Sequence, residues 1–247
     1  MNQPKVLVAC PIIDRNKYCF DRFLACYTAL TYPNKELLLV DNSATENFYN
    51  DLKSKGLNVI RGKHFSRAIE ALVYNRNIVR SYFLARKYDY LFSLDSDVIC
   101  EPDAIERLMK RQKEMASGIY YSAKMENGVP VAKPMVFVRL KDEEFAKISA
   151  DEKFVELMAQ NGLKREDIFR QLNREEVLEP KLIEINVAGL GVVLIQRNVL
   201  EKVPFRFDET IKATDDFFFF VDTEKAGFKL YADTTVKCSH LHGGRNN

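Results

Sequence analysis

Two acidic pairs carry the chemical content of the chain. The first is Asp95-Ser96-Asp97, which closes the apolar run Tyr90–Leu94 (YLFSL). Carboxylates one residue apart at a strand end can point the same way and share a divalent cation. An oxygen-rich pair of this kind suits Mg²⁺ or Mn²⁺, ions that also bind phosphate oxygens. A diphosphate leaving group needs such charge neutralisation as its bond breaks. The tripeptide alone is also an ordinary acidic turn. What sharpens it is the strand before it and the Pro102-Asp103 helix start after it. The second pair is Asp215-Asp216, behind Thr214, and it reads equally as a helix cap. Gly189-Leu190-Gly191 follows a strand-like run and would let backbone approach a ligand closely. No third glycine completes a GxGxxG fingerprint, and no GxxxxGK[ST] phosphate loop occurs.

The elements that must position these groups alternate in type. Lys5–Cys10, Lys35–Val40, Leu57–Ile60 and Tyr88–Leu94 read as strands. Phe20–Leu30 and Ser66–Lys87 carry apolar residues at helical spacing, and Asp103 with Glu106 suggests a capped helix reaching about Met115. This order implies a mostly parallel sheet with helices on its faces. Ligands sit beyond the carboxyl ends of such strands. Asp14, Asp41 and Asp95 each follow a strand, so one sheet edge can gather them. The second half is less regular. Gly118–Ser122, Val136–Leu140, Leu182–Val187 and Val192–Ile195 read as strands, and Arg197–Lys202 as a short helix. Lys141–Leu178 reads as a charged, mainly helical insert covering one side of the site. Thr214–Ala226 reads as a helix, followed by strands at Lys229–Ala232 and Thr235–Ser239.

Composition sets the outer bounds. The chain has 247 residues, enough for one large α/β domain. With 37 basic and 35 acidic residues the net charge is +2, which gives no nucleic-acid footprint. Five cysteines without a CxxC argue against a disulfide framework or a zinc-thiolate site. Cys10 and Cys238 read as small buried hydrophobes. Free thiols, no visible leader and no membrane-length apolar stretch lead us to expect a cytoplasmic protein, with room for peripheral membrane contact.

In five places, in order, the chain resembles GT-A fold glycosyltransferases of the family 2-like group. Val8–Arg15 (VACPIIDR) is similar to the first strand and donor loop. Leu37–Ala44 (LLLVDNSA) is similar to the second strand, and Tyr74–Leu84 (YNRNIVRSYFL) to a helix with an Arg-Asn pair. Tyr90–Val98 matches the DxD strand. Ala213–Gly244 is similar to the late acidic motif, its helix and the closing histidine. The resemblance implies an α/β GT-A fold in a single domain spanning 1–247. Residues 1–122 would form the nucleotide-binding half. Residues 123–247 would form the acceptor half, with the insert at about 141–178.

It also implies roles. Asp97 would ligate the metal, and Asp95 would ligate it or touch the donor ribose. His240 would complete the site, with His242 as competitor; Mn²⁺ or Mg²⁺ would be the ion. Asp41 would read the nucleotide base, or simply shape the turn at Asn42-Ser43. Pro11, Asp14, Arg15 and Ser96 would contact the donor. Arg76 would help neutralise the diphosphate through its directed donors, and Gly189 would lie at the donor sugar. The late motif usually reads Glu-Asp, whereas here it is Asp-Asp. Asp216 is therefore the first candidate for the general base and Asp215 the second. His64 reads as surface.

The expected reaction moves a sugar from a UDP- or GDP-linked donor to a glycan, lipid-linked or small-molecule acceptor; inversion would use the Asp216 base, and a retaining outcome on the same fold, which would not need it, stays open. A sugar-phosphate nucleotidyltransferase is the runner-up. It would carry a glycine-rich basic signature after the first strand, where this chain has Pro11-Ile12-Ile13-Asp14-Arg15. A non-catalytic nucleotide- or glycan-binding module is the third reading. Neither the donor sugar nor the oligomeric state is written in these motifs.

Overall fold

The computed structural model describes residues 3–126, 128–160, 163–211 and 213–241. His242 lies outside the described residues. The first half runs β1 (Val6–Ile12), α1 (Lys17–Ala29), β2 (Lys35–Asp41), α2 (Asn47–Ser54), β3 (Val59–Arg61), α3 (Ala68–Ala85), β4 (Tyr90–Leu94), β5 (Val98–Ile99), α4 (Ala104–Lys110) and β6 (Met115–Ile119). The hairpin β7 (Tyr121–Glu126) and β8 (Val129–Pro134) follows, then β9 (Val136–Arg139), α5 (Asp142–Ile148), α6 (Glu152–Gln160) and β10 (Phe169–Gln171). The chain continues through β11 (Leu182–Ile185), β12 (Val187–Ala188), β13 (Val192–Gln196), α7 (Arg197–Lys202), α8 (Asp215–Lys225), β14 (Leu230–Lys237) and β15 (Ser239–His240).

Eight strands form the central sheet in the order β11-β14-β6-β13-β4-β1-β2-β3. β1 pairs in parallel with β2 and β4, and β2 with β3. β13 enters antiparallel between β4 and β6. The period-2 alternation of β1 decides how the faces are filled. Leu7 and Ala9 join one buried cluster with Phe83 and Phe219, while Val6, Val8 and Cys10 join the other with Phe23 and Phe48. Helices therefore cover both faces, and the carboxyl ends of β1, β2 and β4 share one edge. All five cysteines are buried free thiols.

Several elements differ from the sequence reading. The helix after Asp103 stops at Lys110, because Gln112 takes a left-handed conformation (φ 52°) and the chain turns into β6. Asp103 makes no side-chain cap hydrogen bond; Arg107 donates to it instead, and Glu106 accepts from Thr31. The two late strands are one, β14, whose register shifts between Ala232 and Lys237. The insert is helical only in its first part. Phe169, read at helical spacing, lies on β10, which pairs with β9 in a small β10-β9-β12 sheet. An available strand edge overrides so short a pattern. Helix α2 was not anticipated, although Phe48 and Leu52 at i,i+4 are its buried residues.

Candidate active site

The edge beyond β1, β2 and β4 opens into a cleft of about 400 Å³. Pro11, Arg15, Asn16, Asn42, His64 and the whole Asp95-Ser96-Asp97 turn line it. The DxD turn forms because β4 runs out of apolar residues at Leu94. The Asp95 N–H then donates to Gly191 O at 3.0 Å, and the Val98 N–H returns to Asp95 O at 3.0 Å. Ser96 is buried beneath the turn, while Asp95 and Asp97 keep 34% and 28% of their side chains exposed. Two half-buried carboxylates thus flank a buried serine at the cleft wall.

His240 arrives from the far end of the chain. The two-residue strand β15 pairs antiparallel with β5, setting His240 opposite Val98. The Leu241 N–H donates to Asp97 O at 2.7 Å and locks that register. His240 Nε2 stands 3.4 Å from Asp97 Oδ2, and its Nδ1 lies 3.1 Å from Tyr121 O. The Asp97 carboxylate holds the imidazole pKa above its ordinary value. An imidazole nitrogen and a carboxylate oxygen thus face each other at the cleft mouth. Among the described residues, no three His, Cys, Asp or Glu side chains are gathered as a ready metal-holding group. A two-ligand protein site suits an ion that completes its shell with substrate phosphates and water.

Arg76 ties the two acidic pairs together. It projects from α3 into the core, where Nε donates to Asp215 Oδ2 at 2.6 Å and Nη1 to Ser93 Oγ at 3.2 Å. Its Nη2 lies 3.5 Å from Asp95 Oδ1. Burial works against the guanidinium charge, but Asp215 and Asp95 more than restore it, and the pKa is raised. Asp95 itself is pushed up by burial, held back by Arg76, and raised further by Asp97 and Asp215. Asp215, 4% exposed, is committed to Arg76.

Asp216 is differently placed. It opens the first turn of α8, contacts the Thr214 hydroxyl and accepts from the Phe217 N–H at 2.8 Å. It lines a second cavity, of about 580 Å³. Burial, then the Asp215 carboxylate, pushes its pKa up to about 6. A carboxylate near neutrality at a cavity wall is suited to proton transfer.

Besides Arg76, which was expected at the diphosphate and is turned into the core, three expected residues sit outside the cleft lining. Asp41 is fully buried and does not line the cleft. It pairs with Arg61 Nη1 at 3.0 Å and accepts from Ser43 N and Ser43 Oγ at 3.2 and 2.5 Å. This is the turn-forming arrangement, and it leaves Asn42 as the cleft residue of that loop. Asp14 is exposed and outside the cleft lining; its N–H donates to Ser43 Oγ at 2.8 Å. Gly189 does not leave an open space. A Cβ there would stand 1.8 Å from the Tyr120 hydroxyl, so the glycine makes room for that ring.

Tyr120 is the residue that sequence reasoning missed. It is 6% exposed, packs edge-on against His240 with ring centroids 5.4 Å apart, and lies against Gly191, where a Cβ would stand 3.0 Å from its hydroxyl. Burial, then Asp95 and Asp216, raises its pKa well above the ordinary value. The only sequence signal was its place in an apolar run ahead of glycines that pack on it. His64, read as surface, is exposed but borders the cleft, with Nδ1 3.1 Å from Asn42 O.

Residues 17–169 match the family model described as glycosyl transferase family 2, which is more than half of the chain. The chain belongs to glycosyl transferase family 2. The matched span of this family 2 chain includes the DxD turn and Arg76 but ends before Asp215, Asp216 and His240. No curated protein matches it. Among solved structures it resembles the crystal structure of GalNAc-T7 with UDP, GalNAc and Mn²⁺. The TM-score is 0.65 at 13% identity, over 99% of this chain and 45% of that one. The family 2 chain thus spans less than half the length of GalNAc-T7. The likeness shows the fold, the α/β GT-A architecture expected from the motifs. The crystal structure of A197 from STIV aligns at a TM-score of 0.46 and 17% identity, over 97% of this chain and 86% of that one. Among the described residues, no helix is long and apolar enough to cross a membrane.

Proposed function

We propose that this chain is a glycosyltransferase that moves a sugar from a nucleoside-diphosphate sugar, UDP- or GDP-linked, to an acceptor hydroxyl with inversion at the anomeric carbon. The observation that carries the reading is the Arg76 bridge. It joins Asp95 of the DxD turn to Asp215 and so sets Asp216 beside the anionic centre. The cleft lined by Pro11, Arg15, Asn42 and Ser96 takes the nucleotide. Arg15 offers directed donors to phosphate oxygens.

Asp97 and His240, with Asp95 behind them, are the residues that would hold Mn²⁺ or Mg²⁺. When bound, the ion would neutralise the diphosphate as the bond to the sugar breaks. Asp216 accepts the proton of the acceptor hydroxyl as that oxygen bonds to the anomeric carbon; the diphosphate leaves with the electron pair of the broken bond. Arg76 holds Asp215 in a buried ion pair, which leaves Asp216 as the carboxylate at the cavity wall. Tyr120, buried against His240, stands within electrostatic reach of both Asp95 and Asp216.

Incubation with a panel of nucleotide sugars and Mn²⁺ tests the reading. Release of nucleoside diphosphate supports it. Pyrophosphate release from a nucleoside triphosphate and sugar phosphate would replace it with nucleotidyl transfer, and binding without turnover would replace it with a binding module.

A further inference from the structure

The cavity beside Asp216 has a composition unlike that of the donor cleft. Phe137 on β9, Val187 on β12, Ile168 and Phe169 at β10, Ile211 and Phe217 give its wall an apolar character. Phe169 and Phe217 meet edge to face at 5.7 Å, which gives one side a fixed aromatic corner. The small β10-β9-β12 sheet carries Phe169 and adds Phe137 and Val187 to the same wall, because alternation along β9 buries Val136 and turns Phe137 to the cavity. Two charged side chains, Asp167 and Asp216, border the cavity, and no Lys, Arg or His is among the described residues lining it. Its volume of about 580 Å³ lies within the range of small-molecule sites, roughly 300–1,000 Å³. A glycan alone offers little to such a wall, and an anionic acceptor would meet the carboxylates of Asp167 and Asp216.

Resting on the transferase reading above, we infer that the acceptor is a neutral, amphiphilic alcohol whose apolar body, alkyl or aryl, enters the cavity formed by Phe137, Phe169, Val187, Ile211 and Phe217 while its hydroxyl stays at Asp216. The occupant is committed by the layout: one polar end at the carboxylate, and apolar walls beyond it. Burial of each methylene in such a site is worth about a fourfold gain in affinity.

The test uses the full chain without donor, so that it reads the cavity and not turnover. Binding of methyl, butyl, hexyl and octyl β-D-glucosides, the last kept below its micelle concentration, is measured by equilibrium dialysis at pH 7.5. The expected result is a tightening of about fourfold per added methylene until the cavity is full. Ile211→Glu alters a residue at the rim that is 41% exposed, so the fold tolerates it, and it places a charge on the wall. Its octyl glucoside affinity should fall about tenfold or more. Val155→Glu alters an apolar side chain on α6 that is 46% exposed and does not line the cavity, and it should change nothing. Hexyl β-D-glucuronide, which adds a carboxylate to the same body, should bind about fivefold more weakly than the hexyl glucoside. A flat chain-length series, equal loss in both variants, or tight glucuronide binding would overturn the inference. A parallel assay of donor hydrolysis separates the two readings. Hydrolysis with a flat series sinks the cavity assignment alone, and a steep series without hydrolysis sinks the transferase alone.

Discussion

Replacing Asp216 with Asn should move activity and stability in opposite directions. The carboxyl has its pKa raised from 3.8 to about 6, by burial first and the Asp215 carboxylate second. As a base it must be ionised, so wild-type kcat/KM should fall about tenfold per pH unit below pH ~6 and level off above it. Asn cannot take the proton. Asp216→Asn should lower kcat/KM at pH 7.5 by about 10²–10⁴ and flatten the acidic limb. Stability follows from the same shift. A carboxyl with a raised folded pKa binds protons more tightly folded than unfolded. Its ionisation therefore costs stability, beginning as pH rises past the unfolded value near 3.8 and complete above about 6. At about 1.4 kcal/mol per tenfold change in proton affinity the gap corresponds to at most ~3 kcal/mol, and screening at its partly exposed edge reduces this to ~1–2 kcal/mol. Urea denaturation at pH 5 and pH 7.5 should show Asp216→Asn gaining on wild type by about half that amount between the two, since ionisation from pH 3.8 to 5 has already cost the other half. An acidic limb that persists in Asp216→Asn, or a variant less stable than wild type at pH 7.5, would refute the assignment.

Arg76→Met removes the partner of buried Asp215 and should cost about 3–5 kcal/mol, lowering Tm by roughly 6–20 °C in calorimetry. Gly189→Ala drives a methyl into the Tyr120 hydroxyl and should cost about 1–3 kcal/mol. Adding Tyr120→Phe should recover part of that loss in a double-mutant cycle of denaturation midpoints, since the ring carbon 2.8 Å from the new methyl remains. Arg15→Ala, at the cleft wall, should raise the donor KM about five- to tenfold with little change in kcat, as read from initial rates.

Much of the cleft edge was legible because its signals are local. Strand β4 and its acidic turn lie within eight residues of sequence, Tyr90–Asp97, and period-2 burial on β1 follows directly from its residues. The meeting of His240 with Asp97 was not local, and only the resemblance suggested it. Physically it depends on two-residue strands, β5 and β15, too short to carry any periodic pattern. The Arg76 side chain was expected at the diphosphate, but α3 aims it inward at two carboxylates, a partnership set by tertiary packing alone. Tyr120 and the β10-β9-β12 sheet escaped for the same reason. An aromatic in an apolar run reads as core, and a three-residue strand such as Phe169–Gln171 is decided by the edge it finds.

The central claim is that Asp97 and His240 are the protein ligands of a divalent ion that binds together with a nucleoside diphosphate. Mn²⁺ binding followed by electron paramagnetic resonance, with UDP or GDP present, tests it most directly. Wild type should take up one ion per chain saturably, and both Asp97→Ala and His240→Ala should lose about 100-fold in affinity. Absence of uptake with either diphosphate, or equal uptake by wild type and both variants, would contradict it.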